Sequence, residues 1–305
     1  MPLDGQKIID IASLDCIYLS FDEPNAEEHW AIINSIIPWA KRVKGYKGID
    51  TAHKVASLSS TTDRFILIDG DTLPDENFFN QQLILTPEKE NCVFRWKSRN
   101  VINGLVYGNG GLSCWTKEFV LNMQTHEHSE TETDAVEFCW KDNYLPMHDS
   151  WSTTYPNGSE LQAFRAGFRE GAKLSMNRGK RPDLMNFEKE ISPVNLDRLK
   201  RWMTIGADVE NGRLAMAGAR LGMFLYLSYD EIFEMKWLTD VDYLTKLYND
   251  IDLWTDTYTE LSWKIHNLIG LELPDFDAQQ SKFIKDIWPK HKNIDIMLTE
   301  QESLI

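Results

Sequence analysis

Arg64-Phe65-Ile66-Leu67-Ile68-Asp69-Gly70-Asp71 is an unbroken apolar run that stops at two carboxylates separated by one glycine. Without polar alternation, such a run suits a strand buried on both faces, as in a parallel sheet covered by helices. Ligands of such sheets bind at the carboxyl ends of the strands, where Asp69 and Asp71 would emerge. Gly70 lets the backbone turn there without a Cβ clash. Two hard oxygen ligands at a sheet edge can hold Mg2+ or Mn2+ against the phosphates of a nucleotide. Asp-Gly is also a common turn dipeptide. The stretch by itself leaves a metal site and a surface turn both open.

The residues before the run supply the rest of a sheet. Leu14 to Phe21 forms a first buried strand and ends in the turn residues Asp22-Glu23-Pro24-Asn25. Trp30, Ile33, Ile37 and Trp39 predict a helix over 26–40, which Pro38 ends or kinks. Val43 marks a short strand within 41–48, and a second helix over 49–60 leads into the strand at 64–68. Strand, helix, short strand, helix, strand predicts a doubly wound α/β sheet with helices on both faces.

Composition bounds the function. A chain of 305 residues, 42% hydrophobic with 11 Trp, 14 Phe and 10 Tyr, can bury one large core or two modest ones. No segment approaches the roughly 18 apolar residues of a membrane span, and Met1 to Lys7 lacks the profile of a secretion leader. Cys16, Cys92, Cys114 and Cys139 show no CxxC spacing and read as buried thiols of a reducing cytosol. A net charge of −15 disfavours a generic nucleic-acid surface and makes local positive clusters informative. There are two, Lys41, Arg42, Lys44, Lys47 and Lys54, then Arg165, Arg169, Lys173, Arg178, Lys180 and Arg181.

Further candidates follow the run. Alternation predicts a strand over 91–97. Gly108, Gly110 and Gly111 around Asn109 form a loop offering backbone N–H groups, without the spacing of GxGxxG or of a P-loop. Glu127, Glu130, Glu132, Asp134 and Glu137 lie on an acidic stretch where Thr131 could cap a helix. Asp134 is then either a cap partner or a general base facing a cleft, and Glu137 a solvated face or a second such carboxylate. His148, read as part of a loop running to Gly158, could complete an octahedral metal site. Ser159 caps a helix over 160–175, with Leu161, Phe164, Phe168 and Ala172 on one face and Arg165, Arg169 and Lys173 beside it. That basic stripe suits a pyrophosphate or phosphodiester, or ion pairs to the chain's own carboxylates.

From Val194 onward strand signals disappear. Helices are predicted over 196–205, 212–223, 229–235, 241–254, 258–269 and 278–288, and the small residues from Ala215 to Gly222 suit close helix packing. The expected division is an α/β domain over 1–190 and a helical region over 191–305.

Five stretches in order resemble the GT-A-fold glycosyltransferases, in particular the family-2-like enzymes of tailed bacteriophages. They are Leu19 to Glu27, Lys41 to Ile49 with Ala52-His53-Lys54, Ile68 to Asp71, Tyr107 to Gly111, and Gln162 to Glu170. The resemblance covers about the first 185 residues and implies transfer of a sugar from a nucleotide diphosphate such as UDP to a hydroxyl acceptor, in the host cytoplasm. Asp69 and Asp71 would be the DxD pair that holds Mn2+ or Mg2+ and the diphosphate, and His148 the late metal ligand. Asp22 and Glu23 would lie by the base and ribose, Lys44, Lys47 and His53 would contact the donor, and Asn109 and Gly110 would line the sugar pocket. Arg165 and Arg169 would join the donor contacts.

The glutamate–aspartate pair of many inverting relatives is absent, so Asp134 and Glu137 are the candidate bases and the stereochemistry stays open. The acceptor is a hydroxylated or hydroxymethylated pyrimidine of DNA, a glycan or a protein. A sugar nucleotidyltransferase and a non-catalytic binding protein of the same fold are the competing expectations. The former normally carries a lysine-rich glycine loop where this chain has Ser20-Phe21-Asp22-Glu23.

Overall fold

The computed structural model describes residues 6–108, 111–125, 143–229, 233–250 and 257–287. The chain divides into two compact units, one running to Asn100 and resuming over Val106–Tyr155, the other comprising Val101–Leu105 and the chain from Pro156. The second compact unit therefore takes in the basic helix that follows Ser159. Among the described residues, no helix is long and apolar enough to cross a membrane.

The first unit contains β1 (Lys7–Asp10), β2 (Asp15–Ser20), α1 (Ala26–Ile36), β3 (Lys41–Lys44), α2 (Ile49–Ser59), β4 (Arg64–Asp69) and β5 (Thr72–Pro74). It continues with β6 (Gln82–Leu85), β7 (Val93–Asn100), β8 (Val106–Tyr107), β9 (Leu112–Thr116), α3 (Lys117–Asn122) and β10 (Tyr144–Thr154). The main sheet runs β3-β2-β4-β9-β7-β10-β5, with β8 beside β7, and β1 pairs separately with β6. β3, β2 and β4 are parallel to one another, β9 runs antiparallel to β4, and β10 is parallel to β7 but antiparallel to β5. The sheet is mixed α/β: β3, β2 and β4 keep the parallel winding expected from the sequence, while β9 and β5 run against their neighbours.

Two-sided burial explains the apolar runs. Residues Phe65 to Ile68 of β4 are all buried, and alternate side chains serve different cores. Cys16, Tyr18, Ile66 and Ile68 join Ile33 and Ile37 from the α1 side. Ile17, Phe65 and Leu67 join Ala56 of α2 and Phe119 and Val120 of α3 on the other. α1 stops at Ile36 because Pro38 lacks the N–H that another turn would need. β10 replaces the loop expected around His148. Its polar residues sit in a strand because the ladders to β7 and β5 hold them there, against local composition.

The second unit contains α4 (Glu160–Leu174), α5 (Phe187–Glu190), α6 (Pro193–Thr204), α7 (Gly212–Ser228), α8 (Val241–Asp250), α9 (Thr257–Ile269) and α10 (Ala278–Ile287). Of the helix expected over 229–235, residues 230–232 lie outside the described residues; the Phe233 N–H donates to the Tyr229 carbonyl at 2.8 Å, and Met235–Leu238 forms a 3-10 turn. α4 and α7 pack backbone to backbone. A Cβ on Gly167 would stand 1.9 Å from the Ala215 carbonyl oxygen, and one on Gly171 2.0 Å from that of Ala219. From the other side, a Cβ on Gly218 would meet the Phe164 oxygen at 2.2 Å and one on Gly222 the Phe168 oxygen at 2.1 Å. Four glycines at four-residue spacing thus form one seam, and it carries α4 into the helical unit.

On an exposed helix face Gly→Ala stabilises by roughly 1 kcal/mol. Gly171→Ala is expected to reverse that sign and destabilise by about 2 kcal/mol, as overpacking does. Urea denaturation read by circular dichroism checks it.

Candidate cation site at the carboxyl edge of the sheet

β2 and β4 are adjacent and parallel, and the chain leaves β2 through α1 to β3 on its far side. That makes the crevice between the carboxyl ends of β2 and β4 the switch point, the place where open α/β sheets bind ligands. Three exits meet this edge: Phe21 to Asn25 after β2, Gly45 to Gly48 after β3, and Asp69-Gly70-Asp71 after β4. Leu19 is in register with Asp69, Ser20 with Lys44, and the Gly45 N–H donates to the Ser20 carbonyl at 3.0 Å.

The backbone of the acidic turn is held on three sides. The Asp69 N–H donates to the Gly111 carbonyl at 2.8 Å, and the Tyr155 N–H donates to the Asp71 carbonyl at 2.7 Å. The Gly70 carbonyl accepts from the Tyr18 hydroxyl at 2.6 Å and lies 3.2 Å from His29 Nδ1. Thr72 Oγ1 donates to Asp71 Oδ1 at 3.2 Å. Both glycines are needed by neighbours and not by the turn alone. A Cβ on Gly70 would overlap the Glu23 carboxylate at 2.4 Å, and one on Gly111, whose φ is +75°, would strike Thr72 Oγ1 at 2.1 Å.

The result is negative charge held close together. Burial and the charge of Glu23 push the Asp69 carboxyl up to about 6. Burial, Asp69 and Glu23 push Asp71 up to about 7. Burial also lowers the His29 pKa, which keeps that ring neutral, and raises that of the Tyr18 hydroxyl.

Among the described residues no group of three His, Cys, Asp or Glu forms a metal cage. Two carboxylates are nevertheless the protein share of sites that Mg2+ completes with substrate phosphates and water. The donor chemistry fits a hard divalent cation, because such an ion favours the ionised carboxylates that burial and the neighbouring acids disfavour.

The other expected site residues divide. Asp22 and Lys47 are exposed on the same edge, and half-buried Glu23 accepts from the Phe21 N–H at 2.8 Å. Exposed Lys44 pairs with Glu27 at 2.5 Å, and Arg42 grips the same carboxylate. Asn109, Gly110, Asp134 and Glu137 lie outside the described residues, although Gly108 and Gly111 flank the first two.

His53 does not reach the edge. It is 8% exposed on the inward face of α2, with Nδ1 2.8 Å from the Ile49 carbonyl and its ring edge-on to Trp115 at 5.6 Å. His148 is not brought to the acidic pair either. It lies on β10 between Pro146 and Ser150, which pair with Arg95 and Lys97, whereas Thr154 at the far end of the strand faces Thr72. At about 3.3 Å per residue that is more than roughly 10 Å from Asp71. Arg165, half-buried, and Arg169, exposed, belong to α4 of the second unit.

Sequence reasoning missed Tyr18, Asn25, His29 and Tyr155 as parts of this edge. A signal existed for Tyr18, since a phenol inside an apolar strand must find a partner for its hydroxyl.

Raised carboxylate pKa values have a definite sign in stability. Asp69 and Asp71 favour the fold below their ordinary value of 3.8, and that contribution is lost as pH rises through about 6 and 7. Asp71→Asn is therefore expected to raise the melting temperature at about pH 8 in chelator and to make little difference at about pH 4. Added Mn2+ is expected to raise the melting temperature of the unsubstituted protein at the higher pH and not that of Asp71→Asn. Thermal denaturation across pH, with and without Mn2+, checks both. Compared with known protein families and with curated proteins, the chain matches none.

Proposed function

We propose that the chain is a metal-dependent glycosyltransferase of GT-A-like architecture, moving a sugar from a nucleotide diphosphate to a hydroxyl acceptor. The observation that carries this reading is the acidic pair at the switch point, with carboxyl pKa values raised to about 6 and 7 and, among the described residues, Thr72 as the side chain that bonds to it. Asp69 and Asp71 would hold Mn2+ or Mg2+, which supplies positive charge where the leaving diphosphate becomes negative. Lys44 and Lys47 stand on the β3 exit of the same edge and add charge for the phosphates. Phe21 and Tyr46 are 47% and 46% exposed at the exits of β2 and β3, where their ring faces suit a nucleobase. Asp22 and Glu23 offer acceptors for ribose hydroxyls. No base for the acceptor is assigned, because Asp134 and Glu137 lie outside the described residues.

One observation favours nucleic acid as the acceptor. Residues 165–201 hold ten Lys and Arg against five Asp and Glu, in a chain of net charge −15. Arg169, Arg178 and Lys180 are exposed. Arg178 and Gly179 form the tip of a tight hairpin closed by the Asn177–Lys180 bridge, with φ of 50° and 75°. The tight turn holds the exposed Arg178 side chain at the hairpin tip. A glycan or protein acceptor has no comparable need for this surface.

Incubation with Mn2+ and a panel of nucleotide sugars is expected to release nucleoside diphosphate, and Asp71→Asn to lower that rate by about 100-fold or more. Absence of both hydrolysis and a donor-dependent thermal shift would count against the proposal. If DNA is the acceptor, Arg169→Ala with Arg178→Ala is expected to weaken binding evenly across sequences. It should also reduce the slope of log K against log salt by about 1 to 2.

A further inference from the structure

We infer that Tyr18 and His29 are positioning residues for the acidic pair, fixing the Gly70 peptide so that Asp69 and Asp71 stay together against their repulsion. The inference rests on the cation reading above and goes beyond it by assigning work to two residues that would not touch the ion. Gly70 is the weak point of the turn. Lacking a Cβ, it can rotate its peptide freely, and the neighbouring charges favour any rotation that separates them. Two donors to its carbonyl oppose that motion.

Each donor is itself held. Tyr18 is fully buried, and its ring stacks on Trp30 at 5.9 Å with the Arg42 guanidinium 5.5 Å from its centroid. Its hydroxyl lies 2.6 Å from the Gly70 oxygen and 3.2 Å from that of Ala26, so its single proton serves Gly70. His29 is 4% exposed, and its Nε2 lies 3.2 Å from the Asn25 side-chain nitrogen. An amide nitrogen can only donate, so Nε2 accepts and Nδ1 carries the proton given to Gly70.

Asn25 Nδ2 also donates to the Tyr155 carbonyl at 3.2 Å, and the Tyr155 N–H donates to the Asp71 carbonyl at 2.7 Å. The bonds therefore close a ring through Gly70, His29, Asn25, Tyr155 and Asp71. It fixes two consecutive carbonyls of the turn at once. A purely structural histidine would need no tautomer matched to the one carbonyl between the two acids.

The test is Mn2+ affinity, measured by paramagnetic resonance of free Mn2+, with melting temperature in chelator recorded alongside. Tyr18→Phe removes one oxygen and keeps the stacked ring. His29→Leu removes the donor, while His29→Asn places an amide nitrogen near the position of Nδ1. Tyr18→Phe and His29→Leu are expected to weaken Mn2+ by about 10- to 100-fold, the usual cost of removing a group that orients a ligand. His29→Asn is expected to recover most of the loss. Unchanged affinity in Tyr18→Phe and His29→Leu, with Mn2+ still bound by the unsubstituted protein, overturns the positioning role alone. Failure of the unsubstituted protein to bind Mn2+ overturns the cation reading and this inference with it.

Discussion

The repulsion between Asp69 and Asp71 is the force against which this edge of the sheet is built. Asp69 is the last ladder residue of β4, Asp71 is tied to Tyr155, and Tyr18 and His29 hold the Gly70 carbonyl between them. Burial first, then the charge of Glu23 and, for Asp71, that of Asp69, appear as proton affinity, and both carboxyls hold their protons well above the ordinary range. Glu23 aggravates it, lying where a side chain on residue 70 would stand. Nothing in packing alone calls for three acids around one glycine. Marginal stability makes such an arrangement expensive unless something positive arrives to relieve it.

The two faces of the same strands carry different work. Even-numbered residues of β2 point toward α1, and from that side come Tyr18 and the His29–Asn25 pair that reach the acidic turn. Odd-numbered residues point toward α2 and α3 and make an apolar core around Trp115. His53 falls on this second side, which is why it packs against an indole. A one-residue shift in β2 would exchange the two sets, so the register with β4 decides whether Tyr18 can find Gly70.

Much of this was legible because buried strands and short helices announce themselves by pattern. The run from Phe65 to Ile68 declared two-sided burial, and the glycine between Asp69 and Asp71 declared a turn at its end. The run from Ala215 to Gly222 declared a close helix contact, but Gly167 and Gly171 did not, since Phe164 and Phe168 dominate the apparent face of α4. That seam exists only when both helices are seen together, and it ties α4 to the helical unit. His148 was misplaced for a related reason. A polar segment becomes a strand when partners on both sides have ladders to complete, and pairing between distant residues leaves no local trace. The partners of the Gly70 carbonyl come from 41 and 52 residues away, beyond the reach of spacing rules.

Residues 101–105 interrupt the sheet between β7 and β8 yet belong to the helical unit. Their fastening comes late in the chain. The buried ammonium of Lys285 donates to the Val101 and Ile102 carbonyls and pairs with Asp208 at 2.6 Å, while Ile102 packs against Gly206. On a ribosome the sheet strands on either side are made early, but this five-residue segment waits for a partner 184 residues downstream. The ordering of synthesis thus leaves the Val101 and Ile102 carbonyls without their Lys285 bonds until α10 has emerged.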